Sequence, residues 1–89
     1  MSMSNPEIDQ DGNKFWYNEQ GKLHRVDGPA IKWWNGDKAW WSHGNLHRED
    51  GPAIEYANGD KEWYLNDKQY TEEEFALLQF MKGVIVNAE

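Results

Sequence analysis

A nine-residue segment occurs twice in this chain, and the second copy begins 23 residues after the first. Residues 23–31 and 46–54 are identical at eight of nine positions and read Leu-His-Arg-x-Asp-Gly-Pro-Ala-Ile. The similarity continues after each copy, since residues 35–38 and 58–61 both read Asn-Gly-Asp-Lys. Internal similarity at a fixed period is typical of a repeat architecture, in which each unit buries its apolar face against the next.

Turn-forming dipeptides divide the repeats into strands. Residues 11–12, 35–36 and 58–59 read Asp-Gly or Asn-Gly, which favour two-residue β-hairpin turns with positive φ at both central residues. Residues 6–14 resemble a worn copy of residues 29–38 that is one residue shorter. The predicted fold is therefore mainly β: an antiparallel β-meander of two to three repeated hairpins, followed by a C-terminal α-helix.

A two-residue turn also fixes which residues lie opposite each other. With the turn at residues 35–36, Ile31 lies opposite Trp40, and the face that carries both side chains is predicted to be the core face. The next hairpin repeats this arrangement with Ile54 opposite Trp63. The other face is mixed in character, and it carries Ala30, Ala39, Trp34, Trp41, Ala53 and Tyr64.

The hydrophobic period changes after the repeats. Thr71 and Glu74 have the spacing of a capping box, which predicts a helix over residues 72–82 that ends near Gly83. The apolar residues of this helix cover more than one stripe, so the helix either is wrapped by the sheet or forms a homodimer with a second copy. Residues 84–86 fit either a short strand or a further helical turn.

One domain accounts for the chain length of 89 residues. Residues 1–5 are expected to be disordered, residues 6–70 to form the repeat-hairpin sheet, and residues 71–89 to form the helix and tail of the same domain. A chain this short buries a modest fraction of its surface, and six Trp, four Tyr and three Phe supply much of the apolar area. The absence of cysteine excludes a disulfide framework and a cysteine zinc site.

Charge and hydropathy bear on partners and location. The formal net charge is −7, from 16 acidic residues and 9 Lys and Arg. Direct nucleic-acid binding is disfavoured because affinity for phosphate comes mainly from Lys and Arg, whereas a protein partner with a basic surface would be attracted. The simpler alternative is that the charge keeps an aromatic-rich protein soluble. Without a bilayer-spanning stretch or a signal peptide in the sequence, a cytoplasmic protein with no membrane contact is expected.

The order of aromatic residue, glycine and histidine resembles that of MORN repeats, which are β-hairpin units that stack into an open sheet. The matching residues are Tyr17, Gly21 and His24, and then Trp40, Gly44 and His47. The resemblance covers about residues 12–66, although this chain has Arg25 and Arg48 where MORN repeats have glycine. Repeats of His-Arg-x-Asp-Gly-Pro-Ala are also similar to those of small accessory proteins of phages and bacteria. The resemblance implies an elongated meander that binds a protein, in the host cytoplasm if a phage encodes it, and it implies no chemistry.

The histidine and aspartate of each repeat are the sharpest candidates for chemistry. His24 with Asp27, and His47 with Asp50, are residue types that bind metals and exchange protons. Each copy supplies only one of each type, however, and no nucleophile lies nearby in the sequence. We therefore expect the aspartates to bond to turn amides and to pair with the neighbouring arginines. The chain is not expected to be an enzyme or to hold a metal or cofactor.

Three hypotheses for function follow. The first is a non-enzymatic protein-binding module, such as a phage inhibitor that occupies a host defence protein. The second is a sponge for a small nucleotide, with aromatic rings as stacking platforms and arginines as phosphate ligands. The third is a structural subunit that self-assembles through its helix. The candidate binding residues are Trp34, Trp41, Tyr64, Arg25, Arg48, Glu55 and Glu62.

Overall fold

The computed structural model describes residues 5–87, with side chains described as far as Lys82. The elements are β1 (Glu7–Ile8), β2 (Lys14–Phe15), β3 (Ile31–Lys32), β4 (Lys38–Ala39), β5 (Trp41–Ser42), β6 (Asn45–Leu46), β7 (Ile54–Glu55), β8 (Lys61–Leu65), β9 (Lys68–Tyr70) and α1 (Glu72–Asn87). The predicted fold class, a mainly β antiparallel meander with a C-terminal helix, is confirmed. The predicted disorder of residues 1–5 lies outside the described residues, apart from Asn5.

Two kinds of hairpin alternate along the chain. Seven strands form one sheet in the order β1-β2-β3-β4-β7-β8-β9, and β5 pairs with β6 separately. We call β1–β2, β3–β4 and β7–β8 the tip hairpins. We call residues 17–23, β5–β6 and β8–β9 the side hairpins, the first of which is held by a single bridge between Tyr17 and Leu23. All three tip hairpins are present, including the first, β1–β2, which the sequence left uncertain.

The tip hairpins have three-residue turns, so the predicted two-residue turns are wrong. In the β3–β4 hairpin the N–H of Trp33 donates to the carbonyl of Asp37 at 2.9 Å. Of the three loop residues between them, only Gly36 has a positive φ, of 100°. The side-chain oxygen of Asn35 accepts from the N–H of Asp37 at 3.0 Å and so fixes the turn. A type I turn followed by a glycine bulge is the usual form of a three-residue hairpin connection.

The longer turn shifts the register by one residue, which moves every side chain of the second strand to the other face. Ile31 lies opposite Ala39 rather than Trp40, and the β7–β8 hairpin is shifted in the same way. The predicted core face is therefore wrong. Ala39, which was expected on the mixed face, is 1% exposed.

A row of alternating tryptophan and alanine crosses the sheet, and we call it the Trp–Ala row. The N–H of Trp16 donates to the carbonyl of Ala30 at 2.8 Å, and the N–H of Trp40 donates to that of Ala53 at 2.7 Å. The registers of the tip hairpins continue the row, with Ala30 next to Trp40 and Ala53 next to Trp63. Both alanines are fully buried, and Trp16 is 6% exposed. Small side chains thus fill the spaces between large rings, which gives a thin sheet a close-packed core.

The second and third side hairpins use the two-residue turn that was predicted for the tips. His43 and Gly44 have φ values of 53° and 86°, and Asn66 and Asp67 have values of 50° and 70°. Positive φ at both central residues is the requirement of the type I′ turn. The first side hairpin, residues 17–23, has the extra residue expected from the repeat spacing.

Consecutive tip hairpins are joined by one side-chain hydrogen bond each. The side-chain oxygen of Asn13 accepts from the N–H of Trp34 at 2.8 Å, and Asp37 Oδ1 accepts from the N–H of Ala57 at 2.7 Å. These pairs hold equivalent positions in successive hairpins. Consecutive side hairpins are joined through backbone hydrogen bonds at equivalent positions. Each repeat is therefore bonded to the next at both ends.

Helix α1 begins with the predicted capping box. The N–H of Glu74 donates to Thr71 Oγ1 at 3.0 Å, and the N–H of Thr71 donates to Glu74 Oε1 at 2.9 Å. The predicted end near Gly83 is wrong, because the helix continues to Asn87 and residues 84–86 form a further helical turn. A glycine inside a helix costs only about 1 kcal/mol relative to alanine, so it weakens the helix without ending it.

The helix lies beside β8 and β9 and buries one side only. Phe75 is 6% exposed, whereas Leu77, Phe80 and Met81 are 57%, 66% and 47% exposed. The last three share one helix face, which has no cover among the described residues. No helix in the described part of the chain is long and apolar enough to cross a membrane.

Candidate functional site

Each repeated segment places its arginine over a tryptophan of the Trp–Ala row. Cζ of Arg25 lies 3.9 Å from a ring centroid of Trp16, and Cζ of Arg48 lies 3.8 Å from one of Trp40. A guanidinium over an indole is a cation–π contact of about 0.5–2 kcal/mol, with the larger values where water is excluded. The arginine of the motif therefore covers the core of its own repeat.

Hydrogen bonds within the segment hold the guanidinium in place. Nε of Arg48 donates to Asp50 at 2.9 Å, and Nη1 donates to the carbonyl of Pro52 at 3.0 Å and to Glu55 at 3.1 Å. Arg25 makes the equivalent bonds to the aspartate and proline of its own segment, at 3.1 and 3.2 Å. The predicted pairing of the aspartates with the arginines is confirmed.

The glycine of each segment leaves space for the arginine. A Cβ at Gly28 would lie 3.0 Å from Cζ of Arg25, and a Cβ at Gly51 would lie 3.1 Å from Cζ of Arg48. At these distances the guanidinium would have to give by a few tenths of an ångström, so an alanine here would crowd the arginine on its ring. Glycine at these positions allows the close approach of the side chain.

The histidines join consecutive side hairpins. Nδ1 of His24 accepts from the N–H of His43 at 3.0 Å, and Nδ1 of His47 accepts from the N–H of Asn66 at 3.0 Å. Both donors lie in the turn of the following side hairpin. No group of three or more His, Cys, Asp or Glu among the described residues is arranged to hold a metal ion. Each repeated histidine therefore acts as a hydrogen-bond acceptor between two side hairpins.

Burial, and then the proximity of His43, lowers the pKa of His24 below its ordinary value. The centroids of the two rings are 4.4 Å apart. Because the folded state disfavours the protonated ring, the unfolded chain binds more protons at pH values between the lowered pKa and about 6.5. The stabilisation is complete above that range and is lost as the pH falls through it.

We therefore expect the free energy of unfolding to fall as the pH is lowered from about 7.5 through about 6.5 and below, as measured by urea denaturation. In His24→Asn this fall should be smaller, because the amide oxygen takes the place of Nδ1 and does not titrate. Glu49 also has a lowered pKa, chiefly through its hydrogen bond with His47, but its contribution is lost at more acidic pH. An unchanged pH dependence in His24→Asn would contradict this assignment.

A groove of about 810 Å³ lies between the two repeated segments, and we call it the repeat groove. Arg25, Arg48 and Trp41 line it, as does Val26, which is 90% exposed. The indole N–H of Trp41 is buried without a hydrogen-bond partner among the described residues. Because carboxylates already pair with both guanidinium groups, the groove offers apolar surface rather than free positive charge, and the buried indole N–H is not exposed to it.

Trp34 lies elsewhere, in the turn of the β3–β4 hairpin, and is 73% exposed. Its N–H is held by Asn13, and its Cβ lies 4.0 Å from the position a Cβ would take at Gly12 of the preceding tip. The backbone that carries the ring is thus fixed while the ring faces solvent. Large exposed aromatic side chains on an ordered backbone are common anchors of protein interfaces.

The other candidate residues are engaged within the fold. Glu55 is bonded to Arg48, and the hydroxyl of Tyr64 donates to Glu62 Oε1 at 3.3 Å. Burial, and then the Glu62 carboxylate, raises the pKa of Tyr64 above its ordinary value. The candidate residues do not form one continuous face: Trp34 is at a tip, whereas Trp41 and the arginines are in the repeat groove.

Two surface features were not identified from the sequence. Val26 is the one position at which the repeated segments differ, with Glu49 in the second copy, and this difference was the available signal. Trp63 was assigned to the core, but it is half-buried and lines a second groove.

Comparison of the chain with known protein families, with curated proteins and with solved structures found no match. The likeness to MORN repeats remains an interpretation of the sequence pattern.

Proposed function

We propose that this chain is a non-enzymatic protein-binding module that acts by occupying a basic surface of a protein partner, as a phage inhibitor of a host defence protein does. The exposure of Trp34 on an ordered turn carries the proposal. A ring whose backbone is already fixed loses little conformational entropy on binding. The formal charge of −7 favours a partner of opposite sign.

The contacts of the repeated residues support the same proposal. Histidine, arginine and aspartate are the residues of the motif that can carry chemistry, and each is bonded within the fold. The nucleotide hypothesis needs Arg25 and Arg48 as phosphate ligands, and their guanidinium groups instead lie on indole rings and bond to carboxylates. The contacts that these residues make within the fold account for the recurrence of the motif. Trp34 lies outside the motif.

Trp34→Ala is expected to weaken partner binding by roughly thirtyfold or more, because truncating an anchor residue costs about 2 kcal/mol or more. Stability should change little, since Ala57 holds the equivalent position in the next tip. The measurement is selection of a displayed random peptide library on immobilised protein, followed by titration of the enriched peptides against both forms. Basic sequences should be enriched.

Ile8→Ala is the matched control, because Ile8 is also apolar and 61% exposed but lies on the edge strand β1. It should leave binding unchanged. Equal affinity of the enriched peptides for the wild type and for Trp34→Ala would contradict the proposal. Trp41→Ala is a poorer test than the sequence suggested, because Trp41 is half-buried and its loss would also disturb the fold.

A second function, self-assembly through the helix, is favoured by the uncovered face of Leu77, Phe80 and Met81. If this face joins two copies, Phe80→Glu should reduce the mass measured by sedimentation equilibrium from that of a dimer to that of a monomer, because the charge would be buried unpaired. Val26→Glu is the control, since it adds the same charge at an exposed position where the other repeat has Glu49. A monomeric wild type would exclude this function.

A further inference from the structure

The Trp–Ala row contains three tryptophans, but the chain has only two arginines to cover them. Arg48 follows Trp40 by eight residues, and the residue eight positions after Trp63 is Thr71, which caps the helix. The helix thus begins where a further repeat would have supplied its arginine. Among the described side chains, no cation lies over the ring of Trp63.

An open groove of about 380 Å³ lies at this unfilled position, and we call it the terminal groove. Trp63 and Tyr70 supply its aromatic surface. Its charged side chains are the carboxylates of Glu62, Glu72 and Glu74 and the ammonium of Lys61. The balance of charge is therefore negative beside a half-buried indole.

We infer that the terminal groove binds the guanidinium of an arginine side chain from a partner polypeptide, which lies on Trp63 as Arg48 lies on Trp40. This inference rests on the proposed protein-binding function and specifies the chemistry of the partner. The two repeats in which an arginine covers the tryptophan support this inference, because they show that a guanidinium fits this position of the row. The carboxylates add complementary charge, as Asp50 and Glu55 do beside Arg48.

The arginine comes from a different polypeptide rather than from a second copy of this chain. Arg25 and Arg48 are the only arginines in the sequence, and both are held over their own tryptophans. Arginine fits better than lysine because its planar group stacks on a ring while donating hydrogen bonds in its own plane. Both occupied copies use the guanidinium in this way.

The first test uses the indole N–H resonance of Trp63 in the ¹⁵N-labelled protein. The probe is the blocked peptide Gly-Arg-Gly, and the control is Gly-citrulline-Gly, which has nearly the same shape without the charge. The arginine peptide should give a saturable shift of the Trp63 resonance at millimolar concentration, larger than that of any other indole. No shift, or an equal shift with the citrulline peptide, would overturn the inference.

The second test supplies the missing arginine within the chain. Thr71→Arg and Thr71→Met lose the same capping hydroxyl, so a comparison of the two isolates the guanidinium. Thr71→Arg should have the higher Tm and should no longer respond to the peptide, while Thr71→Met should still respond. A Trp63 response that persists in Thr71→Arg would overturn the inference.

The outcomes separate this inference from the proposed function. Peptide capture that depends on Trp34, together with an unresponsive Trp63, would reject the terminal groove alone. A specific response of Trp63 to arginine, together with capture that is insensitive to Trp34→Ala, would reject the anchor role of Trp34 alone.

Discussion

Arg48→Ala is expected to lower the free energy of unfolding by about 2–3 kcal/mol, or the Tm by roughly 10–20 °C for a domain of this size. The substitution removes a cation–π contact of about 0.5–2 kcal/mol. It also removes charge-assisted hydrogen bonds, which are weaker than buried ones because the Arg48 side chain is 21% exposed and solvent screens its charge. It also leaves Glu55 without its partner. Thermal and urea unfolding of the purified protein measure the loss.

Two further variants test the cause. Arg48→Lys keeps the charge but should recover little stability, because an ammonium cannot lie flat on Trp40 and donate in plane to Asp50 and Pro52. Arg48→Ala combined with Glu55→Gln should recover part of the loss, since it removes the half-buried carboxylate of Glu55, whereas the carboxylate of Asp50 is exposed and remains solvated without its partner. An Arg48→Lys variant that is as stable as the wild type would show that charge alone accounts for the contact.

Ala53→Leu is expected to have an effect of similar or larger size, destabilising the protein by about 3 kcal/mol or more. Ala53 is fully buried between Trp40 and Trp63, and three added carbon atoms would force the rings apart or break the pairing of β7 with its neighbours. Soluble yield and the Tm measure the effect. Since a domain of this size has about 5–15 kcal/mol of stability in total, partial unfolding at room temperature would be consistent with the prediction.

Ala76→Leu is the control, because it adds the same atoms at an exposed position of the helix. It should change the Tm by a few degrees at most. If Ala53→Leu were as stable as Ala76→Leu, the Trp–Ala row would not be the tightly packed part of the core.

The repeated tip hairpins, although the sequence left two or three of them open, and the start of the helix could be predicted because both depend on local chemistry. The capping box of Thr71 and Glu74 is a short-range pattern, and the structure has both of its hydrogen bonds. The register could not be predicted, because Asn35-Gly36 satisfies a two-residue turn and a three-residue turn equally well. The N–H of Asp37 donates to the side-chain oxygen of Asn35, which selects the longer turn, and that single residue changes which residues of β4 share a face with Ile31.

The site was harder to predict than the fold because some of its residues stabilise the fold, whereas others are exposed. Recurrence suggested that the motif is structural, but it did not reveal that Arg48 covers Trp40, since that contact depends on the path of the loop around Gly51. The exposure of Trp34 depends on the turn type, which was predicted wrongly. Among the described side chains, the lack of a cation over Trp63 becomes evident only when the three repeats are compared in space.

His24 accepts a hydrogen bond from the next side hairpin, and Asn13 accepts one from the next tip hairpin. Because both bonds recur in the following repeat, the chain is extendable in units of one period. A second copy of residues 24–46, inserted after Leu46, would offer each neighbour the groups that it already bonds. Stability in such an array would grow with the number of interfaces, as in other linear repeat proteins. Because the helix follows the last side hairpin, it sets the length of the array, and moving it along the sequence by whole periods would produce shorter or longer proteins with the same two ends.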